Sequence, residues 1–279
     1  LAGKQKQEKE AEMKSPLGLN ADLPVADLVT EAITLLWSKR TAVIKMFLPA
    51  MLILALVDWS SSTFLAENDY VSQFGFLIVS VLLSVVFATS CHRFTLLPQD
   101  KWDANALHGM RREEFRYLLR GLLLGVIGAV VFFCSMLVAM IFLGQEDAWL
   151  GAVMGILPAL YIWSRLSVTL PELALGQKTD LKRAWSLSAG NGSRLVLVVF
   201  IVPIALASPF LALFMLDHSV LSYVAAFGTY ITSLISLVML SLSYRFLLDF
   251  YEPQMPEQES LPTETAEPAV KPRDSGFDA

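Results

Sequence analysis

Along most of this chain the apolar positions neither alternate nor form a stripe; they simply continue. Six stretches, approximately 42–65, 74–96, 118–143, 149–170, 195–216 and 221–248, run almost without charge. Each matches the about 20 residues that a helix needs to cross a bilayer's hydrocarbon core. A crossing segment must be helical, because with no water at hand every backbone N–H and C=O has to be bonded within it. Prolines at 49, 158, 203 and 209 interrupt the apolar runs and predict kinks. The pattern therefore predicts an all-α, polytopic membrane protein with six transmembrane helices.

The polar intervals carry a second pattern. In residues 24–40, Val25, Leu28, Val29, Ala32, Ile33 and Leu36 share one helical face and Asp27 and Glu31 the other. Residues 103–115 open on a capping-type Asp103. Near 179–190, Thr179 and Asp180 open a helix through Leu181, Ala184, Trp185 and Leu187 that ends at Gly190-Asn191-Gly192. These segments predict short interfacial amphipathic helices before the odd-numbered spans, with Trp37 and Trp185 at headgroup depth. The even-numbered spans end alike, in Cys91-His92-Arg93-Phe94, Trp163-Ser164-Arg165-Leu166 and Ser243-Tyr244-Arg245-Phe246. Together these features suggest three repeats, roughly 23–97, 98–175 and 176–251. Residues 1–22 are Lys/Glu-rich without the apolar core of a signal peptide, and 252–279 are rich in Pro, Glu, Thr and Ser. Both are expected to be disordered and cytoplasmic.

Composition agrees: 55% of residues are hydrophobic and 17% charged, against about 25% charged in a soluble domain. All 21 Lys and Arg residues fall before or at the start of the first span, around the second and fourth loops, or at and after the end of the last span. The remaining loops hold Glu67, Asp69, Glu146, Asp147 and Asp217. Basic residues mark cytoplasmic loops, so both ends are expected in the cytoplasm of a bacterial inner (plasma) membrane. No folded segment offers the large basic face that nucleic acid requires. The expected partner is the lipid bilayer, and room is left for another membrane protein.

Four residues are candidates for contact with an anionic ligand or headgroup: Arg93, Arg165, Arg245 and Glu172. Glu172 lies seven residues beyond Arg165, about two turns along the same face if the helix continues. The other reading is that the arginines snorkel and only anchor helix ends. Lys45 also snorkels, and Asp58-Trp59 marks the outer interface. His92, His108 and His218 have no metal-ligand spacing, and Cys91 and Cys134 read as packing residues. No phosphate-binding glycine loop, nucleophile elbow or zinc-protease motif is present. No catalytic set, metal or cofactor is expected.

The run RLSVTLPELALGQKTDLKRAWSLSAGNGSRLVLVV from Arg165 to Val199 resembles a pattern of the YciC-like inner-membrane proteins. The same pattern occurs in the related membrane domain of some glycerophosphodiester phosphodiesterases. The matching residues are Arg165, Pro171, Leu175, Trp185, Leu187 and Gly190, with Ala184 where a serine is usual. The resemblance implies a six-span inner-membrane protein connected with the envelope. Phosphodiesterase activity does not carry over, since no such domain is attached. The expected function is non-enzymatic, in envelope organisation or assembly; the alternative is a transporter or channel for a small anionic solute or lipid.

Overall fold

A computed structural model describes residues 22–64, 69–143, 148–216 and 218–251. Most of the two chain ends and the acidic Glu67, Glu146, Asp147 and Asp217 lie outside the described residues. Within them the chain is helical: α1 (Val25–Ser38), α2 (Arg40–Phe64), α3 (Tyr70–Leu96), α4 (Arg112–Leu143), α5 (Ala148–Ser167), α6 (Thr169–Ala174), α7 (Leu181–Leu187), α8 (Gly192–Val196), α9 (Val202–Leu213) and α10 (Ser219–Tyr251). Six helical stretches are long and apolar enough to cross a membrane: α2, α3, α4, α5 with α6, the run from Gly192 to Leu216, and α10. The chain is a multi-pass membrane protein, in contact with a lipid bilayer.

Most helices begin earlier than the apolar runs alone suggest. The fourth helix starts at Arg112 rather than near 118, because polar side chains can reach water from a helix whose backbone bonds continue. Asp69 caps α3 by accepting from the Ser72 amide at 3.1 Å, and Asp180 caps α7 from the Arg183 amide at 2.6 Å. Asp69 is fully exposed, and the Ser72 bonds hold its carboxyl below the usual range.

Two elements differ from expectation. Residues 103–111 are irregular, so the amphipathic helix expected over 103–115 is present only from Arg112 onward. Gly109 takes φ +101°, and Ala106 is tied on both sides: its amide donates to Met46 O, and its carbonyl accepts from Ser90 Oγ. These tertiary bonds replace the helical ladder. The fifth span is compound, with a π-helical turn at Leu197–Ile201 between α8 and α9. Pro203, just beyond that turn, lacks an amide donor and crowds the carbonyl four residues back, which a wider turn accommodates.

Both described chain ends meet the same segment. Leu23 N donates to Asn191 Oδ1 at 2.9 Å, Arg194 pairs with Asp22 at 3.1 Å, and the Tyr251 hydroxyl donates to Ala189 O. This end of the bundle is the terminal face. The sixth span is the centre of the bundle, with 50% of its apolar window buried; the fifth is peripheral, at 11%. Beside the sixth span, Phe47 packs edge-on against Phe87 and Phe94, centroids 5.7 and 5.4 Å apart. The α4–α5 hairpin closes through Gly155, where an added Cβ would sit 2.8 Å from the Phe132 carbonyl oxygen. Small residues allow this backbone approach in membranes. Around the perimeter, Leu77, Phe133, Ile141, Leu157 and Ile204 face outward, as lipid solvation permits.

Candidate functional site

The polar side chains buried in the bundle gather toward the terminal face. Arg93, near the end of α3, is 9% exposed as a side chain and touches three other elements. Its Nη1 lies 2.8 Å from Glu114 Oε1 in α4 and 3.3 Å from Asp103 Oδ2 in the preceding loop. Its Nε donates to the carbonyl of Ala174, the last residue of α6, at 2.9 Å. Glu114 is fully buried and bonded twice over: its Oε2 also accepts from the amide of Arg111, the residue before the helix, at 2.8 Å. That second contact is the return half of a capping box. Arg93 thus joins the end of the second span to the start of the third by an ion pair and to the end of the fourth by a hydrogen bond.

His108 sits beside this pair, with Nε2 3.3 Å from both Arg93 Nη1 and Asp103 Oδ2. Burial holds its pKa below the usual histidine value; Arg111 and Arg93 push the same way, and Asp103 and Glu114 oppose them. Arg111 reaches Asp103 at 3.0 Å. Lys39 lies over the Trp102 ring at 4.6 Å, and the Trp102 indole donates to Leu97 O. The loop from 97 to 111 is therefore held on the bundle by side-chain and backbone bonds in place of a helical ladder.

One residue earlier, His92 is fully buried. Its Nδ1 is 2.7 Å from Ser241 Oγ in α10 and its Nε2 3.2 Å from the Tyr117 hydroxyl in α4. Ser241 donates its own proton to Leu237 O. A neutral imidazole protonated at Nδ1 satisfies the whole chain of bonds, so His92 ties three spans together.

Arg165, in α5, stacks its guanidinium on the Trp185 ring, 3.6 Å from the centroid. Its Nε donates to Ser188 Oγ at 3.0 Å and its Nη2 to the Trp185 carbonyl. Glu172 does not meet Arg165; its Oε1 takes Arg183 Nε at 2.8 Å. Val168 links α5 to α6 with helical backbone angles, and the two residues, seven apart, take separate partners. They hold the same short helix, α7, by different residues. Arg245 stands apart, 63% exposed and 3.8 Å from Asp249 one turn on. The three arginines at matching span ends therefore occupy three different settings: ion-paired, stacked and exposed.

Away from this face, Asp58 in α2 accepts from Ser80 Oγ in α3 at 2.8 Å and from the Tyr230 hydroxyl in α10. Next to it, the Trp59 indole donates to the carbonyl of Ser219, the first residue of α10, at 2.9 Å.

Sequence reasoning missed Glu114 and the roles of His92 and Asp58, and it read Asp103 as a helix cap where the structure pairs it with Arg93 and Arg111. A signal for Glu114 was available in Arg111-Arg112-Glu113-Glu114, where acids interrupt a basic run at a helix start. Chemically the arrangement joins helices. Nucleophile, base and oxyanion donors do not converge among the described residues, and no His, Cys, Asp and Glu group of three there has metal-binding geometry. No family model, curated protein or solved structure matches the chain.

Proposed function

We propose that this is a non-enzymatic protein of a bacterial inner membrane, with both ends cytoplasmic, that supports envelope organisation or the assembly of other membrane components. The observation that carries the reading is the mutual engagement of the buried polar groups. Arg93 with Glu114 and Asp103, Arg165 with Trp185 and Ser188, and Glu172 with Arg183 each close one connection onto the bundle. A charge inside a span is costly unless paired or put to use, and here pairing accounts for it. What results is a rigid, polar-braced platform on one side of the membrane.

The orientation rests on the cations. Every Lys and Arg among the described residues belongs to the terminal-face ends of the spans or to the segments between them, the distribution expected of a cytoplasmic side. Membership of the YciC-like proteins is part of the same proposal. In its support, Arg165 and Trp185 of the shared pattern are in contact, Leu187 is buried, and Gly190 takes φ +75° where α7 turns back. The pattern's spacing thus has a physical reason.

The test has two arms. Depleting the protein from its host should lower the abundance of a defined group of other inner-membrane proteins. Liposomes containing the purified full chain should pass small anions and flip lipid no faster than empty ones. Flux that disappears in R165A while the protein stays folded would replace this reading with the transport alternative.

A further inference from the structure

A second cationic group lies on the terminal face, apart from the paired arginines. Arg116 and Arg120, one turn apart in α4, line a cleft of about 410 Å³ together with Lys178 and Thr179 of the loop after α6. Leu119 and Leu123, also in its lining, are 50% and 43% exposed. Unlike Arg93, these three cations have no carboxylate within ion-pair distance among the described residues. The nearby acids are differently placed: Asp180 caps α7, and Glu113 packs toward Gly176. Arg120 Nη2 donates to Thr179 O at 3.0 Å, which fixes the guanidinium at the cleft wall. Its Nη1 is buried without a hydrogen-bond partner. A guanidinium is suited to a phosphate because its donors match two oxygens at once, and Arg116 and Arg120 both line the cleft beside Lys178.

We propose that this cleft binds a phosphate group, presented in the native membrane by an acidic phospholipid. Three geometric facts favour it. The cations converge on one small volume from two elements, α4 and the loop after α6. They stand in the first turns of the third span and in the loop beside it, where a headgroup is expected. The two leucines continue from the cleft along the outward face of α4, where an acyl chain would lie. The excess of three positive charges favours a headgroup without its own ammonium, so phosphatidylglycerol should bind in preference to phosphatidylcholine. A free phosphate shares the headgroup chemistry but gains nothing from Leu119 and Leu123. The site is independent of which side of the membrane the terminal face occupies.

The experiment titrates the delipidated full chain with phosphatidylglycerol, phosphatidylcholine and inorganic phosphate, counting bound molecules by native mass spectrometry. One phosphatidylglycerol should bind preferentially, and R116Q/R120Q should weaken it by about tenfold or more, the loss of charge-assisted bonds to one phosphate. K178Q changes an exposed loop residue and leaves the fold intact; it should weaken binding by a smaller factor. R112Q, an exposed arginine outside the cleft, should leave it unchanged. Inorganic phosphate binding with the same dependence on Arg116, Arg120 and Lys178 would keep the phosphate site but assign it to a soluble phosphate compound. Equal phosphatidylglycerol affinity in the parent chain, K178Q and R116Q/R120Q, with no phosphate binding, would overturn the proposal.

Discussion

The two halves of α3 are built on different principles. From Val85 to Phe94 every residue is buried, while from Tyr70 to Ser84 none is. A weaker contrast recurs in α10, where Val238 to Tyr244 are buried without a break and the other half is buried on one side only. A helix buried on all sides must be wrapped by protein, and around α3 the wrapping comes from α2, α4 and α10 together with the loop 97–111 and α6. The far half is surrounded largely by lipid, which is as apolar as its side chains and gives little drive to pack. Specific structure in this protein is concentrated where interfacial segments close over the spans and polar side chains join one span to the next. Polar bonds should therefore matter far more near the terminal face than away from it.

The sharpest way to break that comparison is Glu114→Ala. It leaves Arg93 buried beside Asp103 alone and removes the cap on α4, so it should cost about 3–5 kcal/mol. Thermal unfolding in detergent would show it as a large fall in midpoint, or as failure to accumulate. A loss no greater than that of an exposed substitution would refute the idea that this ion pair organises the face. Arg165→Ala comes next, at about 2 kcal/mol for the lost stacking and hydrogen bonds. Arg165→Lys should recover only part of it, because an ammonium cannot stack flat on Trp185 or bond in two directions.

Asp58 tests the other half of the molecule. Asp58→Ala strips an acceptor from the Ser80 and Tyr230 hydroxyls, which are only partly buried, and should cost about 1 kcal/mol. An effect as large as that of Glu114→Ala would erase the distinction between the halves.

These expectations also show how far the residues alone could lead. The six spans were legible because a membrane demands long apolar helices, and few sequences offer them by chance. The helix at α7 was legible from Asp180 and Gly190, whose roles are local. The irregular loop 103–111 was not, since Asp103 looks like a helix cap until Arg93 and Arg111 are seen to claim it. Nor could sequence separate Arg93, Arg165 and Arg245, which end their spans in similar motifs. Their partners, Glu114, Trp185 and Asp249, lie 21, 20 and 4 residues away; only the last separation is a helical one. Arg165 and Glu172 share a face by their spacing, yet each is claimed by a different residue of α7, Trp185 and Arg183, which spacing alone does not show.

A subtler effect should appear in the pH dependence. His108 is held below its usual pKa, mainly by burial, so the folded protein binds a proton there less readily than the unfolded chain. Stability should then be fully present above about pH 6.5 and decline as the pH falls below it, the unfolded state taking up protons first. His108→Gln should flatten that part of the profile. An unchanged slope would mean that carboxylates, not this histidine, set the acid sensitivity.

Arg245→Ala should have the smallest effect and calibrates the rest. Its motif suggests equivalence to Arg93 and Arg165, yet its side chain is 63% exposed and its nearest carboxylate, Asp249, is equally exposed at 3.8 Å. An exposed pair one helical turn apart contributes about 0.3–0.5 kcal/mol, and salt screens it further. The unfolding midpoint of Arg245→Ala should therefore shift by little more than the error of measurement, and less at high salt than at low. If it instead matched Arg165→Ala, the shared motif would be a better guide than burial, and the three span ends would have to be treated as equivalent parts of one repeated unit.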